Sequence, residues 1–363
     1  MCTSLLYRDT SGGVYTGRTL ELSMELPYFV AHLPAGTGFR SAVDGFRPMA
    51  FRSRYGMLAI VVPAGAVTDL KVVEGVNDQG LTFSLLAFAG AEGPQIAPDG
   101  NREVLSAIDL GAWTLGQFKD VDEVKAALEQ QPVIVAALAA LGGAKTPFHY
   151  CLSDRRGRTI VVEFAHGEQR VYDNPVGVMT NGPEFSWHLT NLNNYSFLSN
   201  QDKDQGQFGA LKVKQPDSGI STVALPASNT SVGRFVKAAF YAQYAERAAT
   251  PQAAITTLAH IMNNFDRPRG ISIESPESAG EGALNFAASG IQRGSTEYTS
   301  WTSLTDLARS QIYLRSYDAL NYSSIDLGKL AGNSVVRLMP LAALNDASGD
   351  VTELLLQAKA ITQ

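Results

Sequence analysis

Met1-Cys2-Thr3-Ser4-Leu5-Leu6-Tyr7, the turn Ser11-Gly12-Gly13 and the run Val14-Tyr15-Thr16-Gly17-Arg18-Thr19-Leu20-Glu21-Leu22 open the chain. Two stretches rich in Thr, Tyr, Leu and Val around a Gly-Gly turn read as a β-hairpin, with strands over residues 3–7 and 14–22. Residue 2 then stands at a strand end, and the second strand returns beside it. A small side chain after Met1 lets methionine aminopeptidase remove the initiator, which would leave a cysteine carrying both its thiol and a free α-amine. Such an amine titrates near about 7.7–8, so it can take the thiol proton without a separate histidine base. Alone, Cys2 also reads as a small buried strand residue or an S-acylation site. Arg18 and Glu21 bring a cation and a carboxylate within reach of it. Without Cys2 those two would be an ordinary cross-strand ion pair worth about 0–1 kcal/mol.

The remaining composition narrows the possibilities. With 363 residues, 45% hydrophobic and 18% charged, the chain has ample material for a core. The balance of 29 basic against 35 acidic residues, net −6, contains no basic run able to neutralise several phosphates, so no nucleic-acid partner is expected. The longest apolar stretch, residues 133–144, falls short of the roughly 20 residues needed to span a bilayer. At the start the apolar residues precede Arg8 and Asp9, the reverse of a secretory leader, and the expected compartment is the cytoplasm. Two cysteines, Cys2 and Cys151, and five histidines without ligand spacing encode neither a disulfide framework nor a metal site. No metal or other cofactor is expected.

No repeat or linker divides the chain, which reads as a single domain over residues 1–363. Further strands are expected at 57–62, 81–89, 148–152, 159–164, 176–179, 300–306, 311–316 and 323–326, several of them separated by Asn/Asp/Gly turns. Apolar side chains three or four apart predict helices over 102–115, 121–130 and 231–244, and Thr250-Pro251 opens another over 249–264. Strands grouped apart from helices indicate a layered α+β domain. Residues 193–231, rich in Asn, Gln, Ser and Gly, read as a long excursion of the kind found at interfaces or over sites.

Several segments together resemble the choloylglycine hydrolase family, the bile acid hydrolases and penicillin V acylases among the N-terminal nucleophile hydrolases. Met1-Cys2-Thr3 and Gly17-Arg18-Thr19-Leu20-Glu21 resemble its nucleophile and Gly-Arg-x-x-Asp segments, and Gly75-Val76-Asn77-Asp78-Gln79-Gly80-Leu81 its Gly-x-Asn-x-x-Gly-Leu turn, preceded here by Glu74. The longest likeness runs from Val171 to Pro183 through Met179-Thr180-Asn181-Gly182-Pro183 and on through Trp187-His188-Leu189-Thr190-Asn191-Leu192-Asn193-Asn194-Tyr195. Gly233-Arg234-Phe235 and Thr299 to Asp306, with Tyr313, Arg315 and Tyr317, extend it towards the C-terminus.

The resemblance implies a four-layer αββα sandwich and a linear carbon–nitrogen amide as target. Cys2 would attack the amide carbonyl, its own amine acting as base and then as acid. Arg18 and Arg234 would hold positive charge beside the sulfur, and Glu21, where the family has Asp, would orient the amine. Asn181 would donate its side-chain amide to the developing oxyanion, although on its own Asn181-Gly182-Pro183 is turn chemistry. The second donor falls at Ala87, where only a backbone N–H is available. Leu22, Met24, Leu26, Phe29 and Phe88, with residues near 62–67 and 133–141, would line an apolar substrate pocket, although each is equally at home in a core. Asn77, Asp173 and Asn174 read as turn-formers and Cys151 as an inert strand residue.

Ala87 and the Thr19-Leu20-Glu21-Leu22 stretch favour a penicillin V acylase-like substrate, a small acyl amide. Conjugated bile salts and N-acyl homoserine lactones are alternatives served by the same residues. A different class of reading is an inactive binding or scaffold homologue, or a chain tethered by an acyl group on Cys2. The family is generally homotetrameric, and the excursion at 193–231 resembles its inter-subunit arm.

Overall fold

The opening hairpin forms with the first strand at Cys2–Arg8 and the second at Val14–Leu22, antiparallel, with Cys2 opposite Leu20 and Ser4 opposite Arg18. In this computed structural model residues 1–64, 69–138, 144–273 and 296–361 are described. Around the hairpin a seven-stranded sheet runs in the order Val178–Met179, Cys2–Arg8, Val14–Leu22, Tyr298–Asp306, Gln311–Ser316, Ser323–Asp326, Gly349–Asp350. The strand bearing Cys2 is therefore interior to the sheet, between its hairpin partner and a strand from far along the chain.

Facing it is a nine-stranded sheet in the order Glu168–Asp173, Thr159–Ala165, Phe148–Ser153, Thr82–Ala87, Leu70–Asn77, Met57–Pro63, Phe29–Leu33, Val336–Pro340, Lys359–Ile361. Side chains alternate between the faces of a strand, and both faces here are apolar. Leu58 and Ile60 join Cys2, Leu20 and Trp301 in the core between the sheets. Met57, Ala59 and Val61 join the helices Leu110–Gln117 and Val121–Leu128 in a second core on the outer side. The helices Ser231–Tyr244 and Pro251–Asn263 cover the outside of the seven-stranded sheet. The layers are thus helix, sheet, sheet, helix, the expected αββα sandwich. Gly17 is required for this packing, since a Cβ there would lie 2.8 Å from Met262 on the covering helix.

Local signals act at several ends. Asp120 caps the helix Val121–Leu128 by accepting from Glu123 N–H at 3.0 Å, and Thr250 caps Pro251–Asn263 through Ala253 N–H at 3.2 Å. Asn77 and Asn174 are turn-formers: the side-chain oxygen of the first takes the N–H groups of Gln79 and Leu81, and that of the second those of Val176 and Gly177.

One expectation is corrected. The first half of the helix read over 102–115 is strand, Asp99–Ser106, and only Leu110–Gln117 is α-helical. Arg47 and Pro48 pair in parallel with Glu103 and Val104, and Val133 pairs with Leu105, so strand partners distant in sequence override a local pattern. Within the excursion at 193–231 lies a regular hairpin, Gln205–Phe208 with Leu211–Lys214, exposed throughout. No helix among the described residues is long and apolar enough to cross a membrane.

Candidate active site

The sulfur of Cys2 points between the two sheets, onto the face that also carries Arg18. That thiol is buried, and Arg18 Nη2 lies 3.4 Å from it. The guanidinium is itself fixed from the opposing sheet: Nη1 donates to the Val73 carbonyl at 2.9 Å and to Glu74 Oε2 at 3.0 Å, while Nη2 also donates to the Leu85 carbonyl. Its plane rests on Trp301, 4.9 Å from the ring centroid. Burial works against this charge, but Cys2 and Glu74 outweigh it and hold Arg18 above its ordinary value. Glu74 is the residue that sequence reasoning left unused. A lone carboxylate inside Val72-Val73-Glu74-Gly75-Val76 was the available signal, because an unpaired buried charge is too costly to keep.

On the opposite face of the same strand lies a second group. Glu21 is three residues from Arg18, and a period of two sends the two side chains to opposite sides. Its carboxylate therefore points towards the helices rather than towards the sulfur. There it is fully buried, with Oε1 accepting from Thr299 Oγ1 at 3.4 Å and Oε2 without a hydrogen-bond partner among the described residues. Burial pushes its pKa up, against the pull of Arg234 and the terminal ammonium. Arg234, on the helix Ser231–Tyr244, donates to the Cys2 carbonyl, to Thr3 Oγ1 at 2.7 Å and to Asn181 Oδ1 at 2.7 Å. Arg234 thus holds the backbone of Cys2 from the far side of the sheet, with Cys2 among the charges acting on it, while the direct contact with the sulfur is made by Arg18. Met1 continues the strand, its carbonyl taking Glu21 N–H at 2.8 Å and its ammonium paired with Glu297, which also binds Arg267 at 2.5 Å.

Asn181 closes the third side. Its Oδ1 accepts from Cys2 N–H at 2.8 Å and its Nδ2 donates to the Ala87 carbonyl at 2.7 Å. Phe88 N–H bonds to Pro147 at the edge of the neighbouring strand, so the carbonyl and N–H of Ala87 turn the other way, towards Asn181. The backbone of Asn181 is pinned in turn: its N–H donates to Ser231 Oγ at 2.9 Å, and His188 Nε2 donates to its carbonyl at 2.8 Å. Burial drives His188 down to about 4, leaving a neutral ring with one fixed donor.

The site is thus a buried thiol under a fixed guanidinium, with an amide side chain bridging its backbone nitrogen to a second strand. The family model of linear amide C–N hydrolases, choloylglycine hydrolase family, covers residues 2–335. This chain belongs to that family. A bile salt hydrolase/transferase of Lactiplantibacillus plantarum is 25% identical to it over 331 residues, 90% of this chain and 92% of that protein. A penicillin V acylase of Pectobacterium atrosepticum is 26% identical over 345 residues, covering 91% and 81%. The crystal structure of a conjugated bile acid hydrolase variant from Clostridium perfringens has the same fold, with a TM-score of 0.77 at 23% identity over 93% of this chain and 96% of that one. The chemistry of the choloylglycine hydrolase family is the hydrolysis of linear amide C–N bonds.

For this member the expected pocket residues divide. Leu22, Leu26 and Val62 pack against the core that holds Cys2, Tyr28 and Trp301, and Met24 is half-buried in the bend after Leu22. Phe29 does not belong with them, because strand alternation turns it, with Ala31 and Leu33, to the helix side. Val133 and Val135 lie in that outer core too. Phe88 is buried and stacked on His149, a wall rather than an open contact. Residues 65–67 and 139–141, also expected here, lie outside the described residues. Two clefts of ≈ 540 and ≈ 840 Å³ open elsewhere, neither lined by Cys2, Arg18 or Asn181. Cys151 is buried and its thiol is pushed up to about 12, in keeping with an inert strand residue. Among the described residues no three His, Cys, Asp or Glu side chains gather in a way that could hold a metal ion.

Proposed function

We propose that, once Met1 has been removed, this protein hydrolyses an acylated amine through a thioester on Cys2, with a penicillin V acylase-like substrate. The carrying observation is the 3.4 Å approach of Arg18 Nη2 to a buried sulfur on the second residue of the chain. The guanidinium at that distance fixes the direction of the sulfur. Cys2 Sγ attacks the acyl carbon while its proton passes to the amine of the same residue. The carbonyl oxygen, now negative, is received by the Ala87 N–H and by the Asn181 amide. The latter carries two hydrogens, of which the Ala87 carbonyl occupies one. Collapse breaks the C–N bond, and the departing nitrogen takes the proton back. Water then attacks the thioester, releasing the acid and restoring the thiol.

In this scheme Glu21 and Arg234 set the position of the Cys2 backbone and amine. Side-by-side turnover of penicillin V, glyco- and tauro-conjugated bile acids and N-acyl homoserine lactones identifies the acyl amide. Intact mass during a single turnover should show loss of Met1 and a transient acyl adduct. Full activity in protein that retains Met1 would sink the scheme. The excursion at 193–231, where Phe208, Leu211 and Val223 are exposed, is the contact we assign between copies in a homotetramer, and sedimentation tests it.

A further inference from the structure

Behind Asn181 lies a buried group to which the reaction above assigns no part. His149 and Glu163 are almost wholly inaccessible, on neighbouring strands, with His149 Nδ1 3.2 Å from Glu163 Oε2. The other nitrogen, His149 Nε2, lies 3.0 Å from the carbonyl of Thr180, the residue before Asn181. A carbonyl can only accept, so Nε2 carries a hydrogen. Glu163 Oε2 also accepts from Phe185 N–H at 3.1 Å, just past the Asn181-Gly182-Pro183 turn. The His149 ring is stacked on Phe88, with centroids 4.9 Å apart and planes 3° from parallel, and Phe88 is the residue after Ala87. In register, His149 stands opposite Leu86, the residue before Ala87. One imidazole therefore touches both segments that carry the proposed oxyanion donors, by a hydrogen bond on one side and a stacked ring on the other.

We propose that His149 is a positioning residue which, anchored by Glu163, sets the separation of the Ala87 N–H from the Asn181 amide. This rests on the reading of those two groups as oxyanion donors. His188, on the Asn181 side, interacts electrostatically with both members of the pair and with Arg234. Catalysis of this type is sensitive to spacing: a displacement of about 1 Å can cost about 10²-fold, and loss of one oxyanion donor about 10²–10³-fold.

The test uses two probes of the same cysteine. Iodoacetamide needs the nucleophile and no oxyanion hole. Phenoxyacetaldehyde adds the thiol across its C=O bond, the proton ending on the new oxygen, and that adduct needs the hole. His149→Asn can still reach Glu163 but not Thr180. It should lose about 10²-fold in kcat with KM within about threefold, lose aldehyde affinity in proportion, and keep its alkylation rate within about twofold. His149→Gln, which restores a donor at the position of Nε2, should recover to within about tenfold of the parent. Unchanged kcat and aldehyde affinity in His149→Asn would overturn the proposal. So would an equal fall in all three readouts, which is the mark of general disorder. If His149→Asn does not fold, Glu163→Gln is read in the same way, and parental aldehyde affinity there is equally fatal. A parent protein without Cys2-dependent turnover sinks the acylase reading itself, whereas the ratio of variant to parent bears on His149 alone.

Discussion

Arg18 and Arg234 are buried to nearly the same degree, one on each face of the sheet that carries Cys2, yet their charges are answered differently. Arg18 has a carboxylate at 3.0 Å, an aromatic face beneath it and the sulfur beside it. Arg234 touches only neutral oxygens, with Glu21 as a nearby rather than contacting charge, and burial lowers its pKa where that of Arg18 is raised. The thiol face thus carries a permanent field, and the opposite face holds the backbone in place. That division follows from the strand period of two.

The largest test of it is Cys2→Ala, which removes the atom that the Arg18 field serves. Hydrolysis should disappear, with unfolding free energy within about 1 kcal/mol of the parent. A variant that melts like the parent and still turns over would refute the assignment. Next comes Arg18→Met, which leaves Glu74 buried without its counter-ion and should cost about 3–5 kcal/mol in urea unfolding. Arg18→Met with Glu74→Met should recover most of that loss. Arg234→Met, which strands hydrogen-bond acceptors rather than a contacting carboxylate, should cost less, about 1–3 kcal/mol. Equal costs for the two arginines would erase the distinction between the faces.

Glu21 sharpens the comparison through pH. Its pKa is raised in the folded state, so between the ordinary carboxylate range, about 4.3, and that higher value the native protein binds more protons than the unfolded chain. Stability should therefore fall as pH rises through that window, and Glu21→Gln should flatten the slope in urea titrations at stepped pH. Glu21→Asp, the family's usual residue, should preserve or raise turnover. If it abolishes turnover, the longer side chain is part of this protein's geometry. The smallest effect belongs to the exposed hairpin: Phe208→Ser should leave monomer stability within about 0.5 kcal/mol while weakening assembly by sedimentation.

Much of this was legible in the chain. The hairpin boundaries, the strands Gln311–Ser316 and Ser323–Asp326, the helix Ser231–Tyr244 and the Thr250 cap follow from alternation, periodicity and cap chemistry. Strands with polar or mixed sequence, such as Glu168–Asp173 and Leu70–Asn77, were missed because their pairing partners, rather than their own pattern, make them strands. The alternation rule could have separated Arg18 from Glu21 and Phe29 from Leu26, and a carboxylate in an apolar run could have marked Glu74.

By itself the sequence determined the proposed attacking group: a cysteine able to become the first residue, on a hairpin whose second strand returns an arginine and a glutamate. Local spacing suffices for that. The tertiary structure alone decided which cation meets the sulfur, that Glu74 neutralises it, and that Asn181 is gripped by Ser231, His188 and Thr180's partner His149. Those contacts join residues between 7 and 56 positions apart in the chain. They exist only because two sheets, each apolar on both faces, had to be stacked and covered, which brings distant polar side chains together where water cannot satisfy them.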